Sequence, residues 1–184
     1  MASIFGRIRS SKGQAIVELT LISPFLLLLA YGSIEVANVI STYINLTHTT
    51  REGANLTSRG TDPDVALDAI IIAAAPTIGD TNTAHWKIIY SKIVQDPGTP
   101  CVQAPCTYKV SNQIVRGGMA GASKIGTVNQ TVTIAGIDHV GPGQTFHAIE
   151  VFFDYSSTIL TFVGNEINPT LYDRTIFTNV GSPA

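Results

Sequence analysis

The chain has 184 residues and nearly balanced charge, with 11 Lys and Arg against 13 Asp and Glu. That length holds one domain of about 100–150 residues plus an anchor, which excludes a multidomain enzyme. The charge balance leaves no basic surface to neutralise a phosphate backbone, so nucleic acid is not an expected partner.

Arg7, Arg9 and Lys12 open the chain, no acid occurs before Glu18, and no charge lies between Leu19 and Ile34. Together with Ala15, Ile16 and Val17 this run approaches the roughly 20 residues that span a bilayer, so one membrane helix is expected. The positive-inside bias keeps its N-terminus in the cytoplasm and exports the remainder. A cleaved secretory signal is the competing reading, but "FLLLLA" is followed by Tyr31 and Gly32 without the A-x-A spacing of a cleavage box. Pro24 removes one hydrogen bond in mid-helix, and a kink is expected near Thr20 to Pro24. Beyond the apolar run, Val36, Ile40, Tyr43, Leu46 or Thr47, Thr50 and Ala54 recur at three- or four-residue steps, the spacing of one helix face. The helix therefore continues to Ser58, where "RGTDPD" supplies stop signals. From Gln14 to Ser58 it forms a rod of roughly 65–70 Å, far longer than an anchor needs.

"DPDVALDAIIIAAAP" offers Asp62 as an N-cap and Pro76 as a stop, which predicts a short second helix. Five β-branched and aromatic runs follow, separated by Gly, Pro, Asn and Asp: "HWKIIYSKIV", "TYKVSNQIV", "GTVNQTVTIAGI", "FHAIEVFFDY" and "TLYDRTIFTNV". These are the marks of short antiparallel strands. The fold class is α+β: a leader over 1–13, a membrane and extended helix over 14–58, and an exported head over 59–184.

Little in the head suggests catalysis. Cys101 and Cys106 lie between two expected strands and, in an oxidising compartment, read as a disulfide at a hairpin tip. A metal would be two ligands short there. His48, His85, His139 and His147 have no metal-ligand spacing. Asp138 and His139 are adjacent, so in a strand they point to opposite faces. "VRGGMAGASKIG" lacks the G-K-[ST] order of a phosphate loop and reads as a flexible loop. The Asn-x-Thr tripeptides at Asn45, Asn55 and Asn129 matter only in a glycosylating pathway. No catalytic residue, metal or cofactor is expected.

The distinctive constellation is at the start. A break after Gly13 makes Glu18 the fifth residue of a new chain beginning at Gln14. With its basic leader, this resembles the prepilin peptidase site of type IV-like pilins. Over "KGQAIVELTLISPFLLLLAYGSIEVANVISTYINLTHTTREGANL" the sequence looks like the TadE-like family, pilin-like proteins of the tight-adherence (Tad, or Flp) pilus. "GQAIVELTLISPFLLLL" resembles the family's Gly-x4-Glu and Pro-containing leucine run, "YGSIEV" its Gly-x-x-Glu, and "TTREGANL" its Arg-x-Gly-Ala helix end. The tail, "IEVFFDYSSTILTFVG" and "LYDRTIFTNV", looks like the closing strands of the family's head.

The resemblance implies a non-enzymatic minor pilin or pseudopilin, processed between Gly13 and Gln14 and held in a bacterial inner membrane by a single span with its head in the periplasm. The fibre or the cell surface is the alternative destination. The implied partners are the prepilin peptidase, related pilins through the N-terminal helix, the inner-membrane assembly platform and membrane lipid. Cleavage would remove the three basic residues and create an α-amine on Gln14, one turn from Glu18. In a helix bundle, the Glu18 carboxylate then pairs with that amine or with a neighbour's. The bland alternative for Glu18 is a carboxylate snorkelling to the headgroups. The alternative for the whole chain is a membrane-tethered binding or receptor domain that never enters a pilus.

Overall fold

The structure is a computed structural model that describes residues 11–75, 77–78, 82–99, 106–132, 143–157 and 169–179. Helix α1 runs unbroken over Ser11–Ser58, with Pro24 inside it, a rod of roughly 72 Å at 1.5 Å per residue. Pro24 has no N–H for the Thr20 carbonyl, and that oxygen receives the Ser23 hydroxyl at 3.4 Å instead. The Thr20 hydroxyl donates one turn further back, to the Ile16 carbonyl at 2.8 Å. Local hydroxyls thus share in satisfying backbone at the proline, as apolar surroundings demand. The helix ends where expected. Gly60 takes a positive φ of 90°, and the Thr61 N–H returns to the Leu56 carbonyl at 3.2 Å, the reversal that glycine makes easy.

Helix α2, Pro63–Ala73, starts with Pro at its first position and is capped by Asp62. The Asp62 carboxylate accepts from the Asp64 and Val65 N–H groups at 3.0 and 3.4 Å, satisfying two otherwise orphaned donors. After a short 3-10 turn at Thr83–His85 come strands β1, Trp86–Gln95, and β2, Tyr108–Gly117. Strands β3, Thr145–Asp154, and β4, Thr170–Thr178, complete the sheet. The order is β2-β1-β3-β4, every neighbouring pair is antiparallel, and β1 and β2 carry a bulge between Lys92 and Ile93.

The strand period of two divides the sheet into two packed faces. Trp86, Ile88 and Tyr90 of β1 and Ile149 and Val151 of β3 meet Leu46 and Ala54 of α1 and Leu67 and Ile70 of α2 in one core. On the opposite face, Ile93, Val110, Phe146 and Ala148 pack with Ile125 and Val132 from the segment after β2. Arg116 ties β2 to α2 through ion pairs with Asp64 and, at 3.6 Å, Asp68.

Two expectations need correction. Residues 126–132 of the third expected strand are a turn rather than a strand, and only Thr131 makes an isolated bridge, to Lys109. Gly126 and Asn129 adopt φ of 133° and 70°, outside the β region that a regular strand interior occupies. The β-branched Val132 is spent on the core instead. The remaining residues of that run lie outside those described, as do Asp138 and His139. Second, the helix face grouped from sequence is split. Leu46, Thr50 and Ala54 are buried, whereas Val36, Ile40 and Tyr43 are exposed. Over that lower part the half-buried stripe is Gly32, Glu35, Val39 and Thr42, because the described part of the head meets only this narrower side of the helix.

Candidate functional site

The long helix falls into three stretches with different surroundings. From Gly13 to Leu29 every residue but Ser23 is exposed, and the helix is long and apolar enough to cross a membrane. At its start the Gln14 side-chain amide donates to Glu18 Oε1 at 3.0 Å, so the expected first and fifth residues of the mature chain already share one face and one contact. A Cβ added at Gly13 would meet nothing within 4 Å. Glycine in a helix costs roughly 1 kcal/mol against alanine, and nothing among the described residues requires it at that position.

The middle stretch, Ile34 to Ile44, passes the head on one side only. Ile34, Val36, Ile40, Tyr43 and Ile44 remain exposed, Tyr43 and Ile44 at 45 and 49 %. On the inner side, Glu35 lies by Tyr155, the residue after β3. Burial and, after it, the Glu35 carboxylate raise the Tyr155 phenol above its ordinary pKa. Glu35 Oε1 is buried and has no hydrogen-bond partner among the described residues.

In the upper stretch the helix docks on β3 and β4 and against α2. Thr50 is fully buried, donates to Asp173 of β4 and accepts from the Thr175 hydroxyl at 3.0 Å. Gly53 marks the closest approach. A Cβ there would sit 2.8 Å from Ile70 Cδ1 and 3.2 Å from Ile149 Cγ1, which gives the "TTREGANL" glycine a steric reason.

The other sequence candidates are scattered. Cys106 is buried beside Ile93, Tyr108 and Phe146 at the entry to β2. Cys101 lies outside the described residues, so the bridge between them rests on the sequence. His48 and His85 are exposed, on α1 and on the 3-10 turn, and no group of three or more His, Cys, Asp or Glu could hold a metal among the described residues. The glycine-rich run after β2 is a loop, pinned at Lys124 rather than free. Its Lys124 N–H donates to Glu150 Oε1 at 2.8 Å, and the Lys124 ammonium sits 3.8 Å from the Tyr172 ring centre.

Two polar features escaped sequence reading. Glu150 is fully buried in mid-strand and also receives the Ser123 hydroxyl and, at 2.9 Å, the Tyr172 hydroxyl. Burial and the Glu150 carboxylate push the Tyr172 phenol upward. The signal was an acid inside the apolar run "AIEVFF". The second is a contact of 3.0 Å between the Tyr90 hydroxyl and His147 Nδ1. Burial raises Tyr90 to about 12, with a smaller contribution from Asp62. Burial, and then Lys92, lower His147 below the ordinary histidine value. Both line a cleft of about 510 Å³ between the α1–α2 turn and the adjoining end of the sheet.

No curated protein and no solved structure matches the chain. Residues 13–55, the stretch that contains Gly13, Glu18, Pro24, Glu35 and Gly53, match the family model described as TadE-like protein, the pilus-associated family that the sequence resembles over this same helix.

Proposed function

We propose that this protein is a minor pilin or pseudopilin of a tight-adherence pilus, cut by a prepilin peptidase after Gly13 and acting in pilus assembly through its long helix. The outward stripe of α1 carries this reading. From Ile16 to Ile44 the helix rises about 42 Å, whereas a bilayer's hydrocarbon core is about 30 Å thick. Ile40, Tyr43 and Ile44 are nonetheless exposed. A helix that served only as a tether would turn polar once past the lipid. An apolar stripe carried a further two turns or more calls for protein, and parallel helices of related subunits supply a matching one.

Two residues at the start of the stripe fit the same role. Gly13 has no neighbour among the described residues that its lack of a side chain would serve, which suits a residue that must pass through a peptidase. Glu18, within reach of residue 14, becomes the counter-ion of the new α-amine, ordinarily protonated near neutrality. The pairing offsets the desolvation of both charges when helices bundle. The subunit resides in the inner membrane with its head exported, and its partners are other pilins, the peptidase and the assembly platform.

The test combines the mass of the mature N-terminus with Glu18→Gln. A start at Gln14 in wild type, with a processed but poorly assembling Glu18→Gln protein, is the expected result. N-terminal glutamine can cyclise and lose its charge, so the same spectra must establish an open Gln14. Retention of the basic leader in cells that hold an active peptidase would refute processing. Normal piliation by processed Glu18→Gln protein would refute the charge pairing.

A further inference from the structure

The cleft lies at the far end of α1 from Gly13, and its lining is mostly polar side chains, interrupted by Gly60 and Pro63. Most of its inward groups are already engaged. The Thr57 hydroxyl donates to the Gly53 carbonyl at 2.9 Å, the Asp62 carboxylate caps α2, and the Tyr90 hydroxyl meets His147 Nδ1. What remains open comes from one row of the sheet. Asn112, Lys92 and His147 are successive cross-strand neighbours on β2, β1 and β3, and all three line the cleft.

Lys92 is exposed, and none of the ion pairs among the described residues involves it. With Nδ1 of His147 held by Tyr90, Nε2 is the ring atom left for the cleft. Thr61, Thr145 and Asn179 add neutral hydrogen-bonding side chains around the same space. The Asp62 carboxylate also lines the cleft, its Oδ1 held by the N–H groups at the start of α2. The Lys92 ammonium and the surrounding amides and hydroxyls select against an apolar guest, which would strand them unpaired. The ammonium favours an anion that brings hydroxyls of its own. The size narrows the class further, because about 510 Å³ falls within the range of clefts that hold organic ligands and far exceeds one oxyanion.

We propose that this cleft binds an acidic sugar unit, a carboxylated pyranose, with Lys92 receiving the carboxylate and Asn112, His147 and the surrounding threonines and Asn179 receiving ring hydroxyls. The proposal does not depend on the pilus reading, since it concerns the opposite end of the molecule.

Full-length protein in detergent micelles, titrated with D-glucuronate, D-glucose and inorganic phosphate and followed by calorimetry and amide chemical shifts, tests it. Expected is saturable binding of glucuronate with shifts at Lys92, Asn112 and His147, and glucose weaker by about tenfold, the scale of one charge-assisted hydrogen bond. Lys92→Gln should lower glucuronate to the level of glucose. Asn112→Asp, which leaves Lys92 in place but adds a like charge to the guest, should weaken glucuronate more than glucose. Both variants must retain the wild-type thermal transition. Absence of saturation with glucuronate, phosphate binding as tightly as glucuronate, or an unchanged preference in a folded Lys92→Gln protein would each overturn the assignment.

Discussion

Glu150 offers the sharpest test of how the head is held together. Its carboxylate has no exposure to solvent, and three donors converge on it. Oε1 receives the Lys124 N–H and the Tyr172 hydroxyl, at 2.8 and 2.9 Å, and Oε2 receives the Ser123 hydroxyl. The acid therefore clamps the segment after β2 onto β3 and β4. Glu150→Ala would leave three donors facing a void. With about 1.5–3 kcal/mol for a hydrogen bond to a charged group, and water admitted to part of the space, the loss is about 3–5 kcal/mol. Glu150→Gln keeps the shape. An amide oxygen at the Oε1 position still serves Lys124 and Tyr172, and the amide nitrogen at Oε2 donates to the Ser123 oxygen. That oxygen already accepts the Ile125 N–H at 3.1 Å and has a second lone pair. The Ser123 hydroxyl proton and the second amide hydrogen must turn to other acceptors, and with the lost charge assistance the cost is about 1–2 kcal/mol. Urea unfolding of the full chain in detergent gives the two values, and tryptic cleavage after Lys124 reports on loop release. Cleavage should be fast in the alanine variant and near wild type in the glutamine variant. Equal destabilisation by the two substitutions, or an alanine variant within 1 kcal/mol of wild type, would refute the clamp.

Gly53→Leu should destabilise the head by about 1–3 kcal/mol through overpacking against Ile70 and Ile149. The gain of up to roughly 1 kcal/mol in helix propensity would not offset this, and a urea midpoint at or above wild type would count against the close approach. His147 is depressed in the fold, chiefly by burial and then by Lys92, so below about pH 6.5 the unfolded chain takes up this proton more readily than the native state does. Its contribution is fully present above that pH and is lost as pH falls, so His147→Gln should flatten the decline in stability below pH 6.5 measured by thermal melts. Tyr90 has the opposite sense. Its elevation to about 12 favours the protonated native state, so stability should fall as pH rises from about 10 towards 12, and Tyr90→Phe should remove that loss. For the bridge expected between Cys101 and Cys106, alkylation before reduction should modify neither thiol, and reduction should cost about 2 kcal/mol for so short a loop.

The helices were legible because their signals are local. Asp62 and Pro63 set the start of α2 by cap chemistry, and "RGTD" set the end of α1 by its glycine. Four strands announced themselves as β-branched and aromatic runs. The third run departed over its described residues because composition does not reveal dihedral angles. Asn129 and Gly126 turn the backbone where Val128, Thr131 and Val132 alone would suggest extension. The site was legible in part. Gly13, Glu18 and Pro24 stand in a continuous segment with recognisable spacing, whereas Tyr90, Lys92, Asn112 and His147 are brought together by strand register, which requires knowing that β1 lies between β2 and β3. Glu150 and Lys124 likewise meet only because the loop after β2 crosses the sheet.

In the upper part of α1 threonine disguises part of the packing face. Thr49 and Thr57 are buried, yet their hydroxyls donate to the carbonyls of Asn45 and Gly53 at 2.8 and 2.9 Å. Each polar atom is satisfied within its own helix, and the methyl group is left to face the head. A stripe built this way packs much as valine would but carries little apolar signal in the sequence. It also distinguishes the two jobs of one helix. The leucines below suit lipid or other helices, while the threonines above favour this head, because Thr50 finds Asp173 and Thr175 only on β4. One continuous helix can therefore present an adaptable surface to an assembly and a fixed register to its own sheet, with the change from leucine to threonine marking where one task gives way to the other.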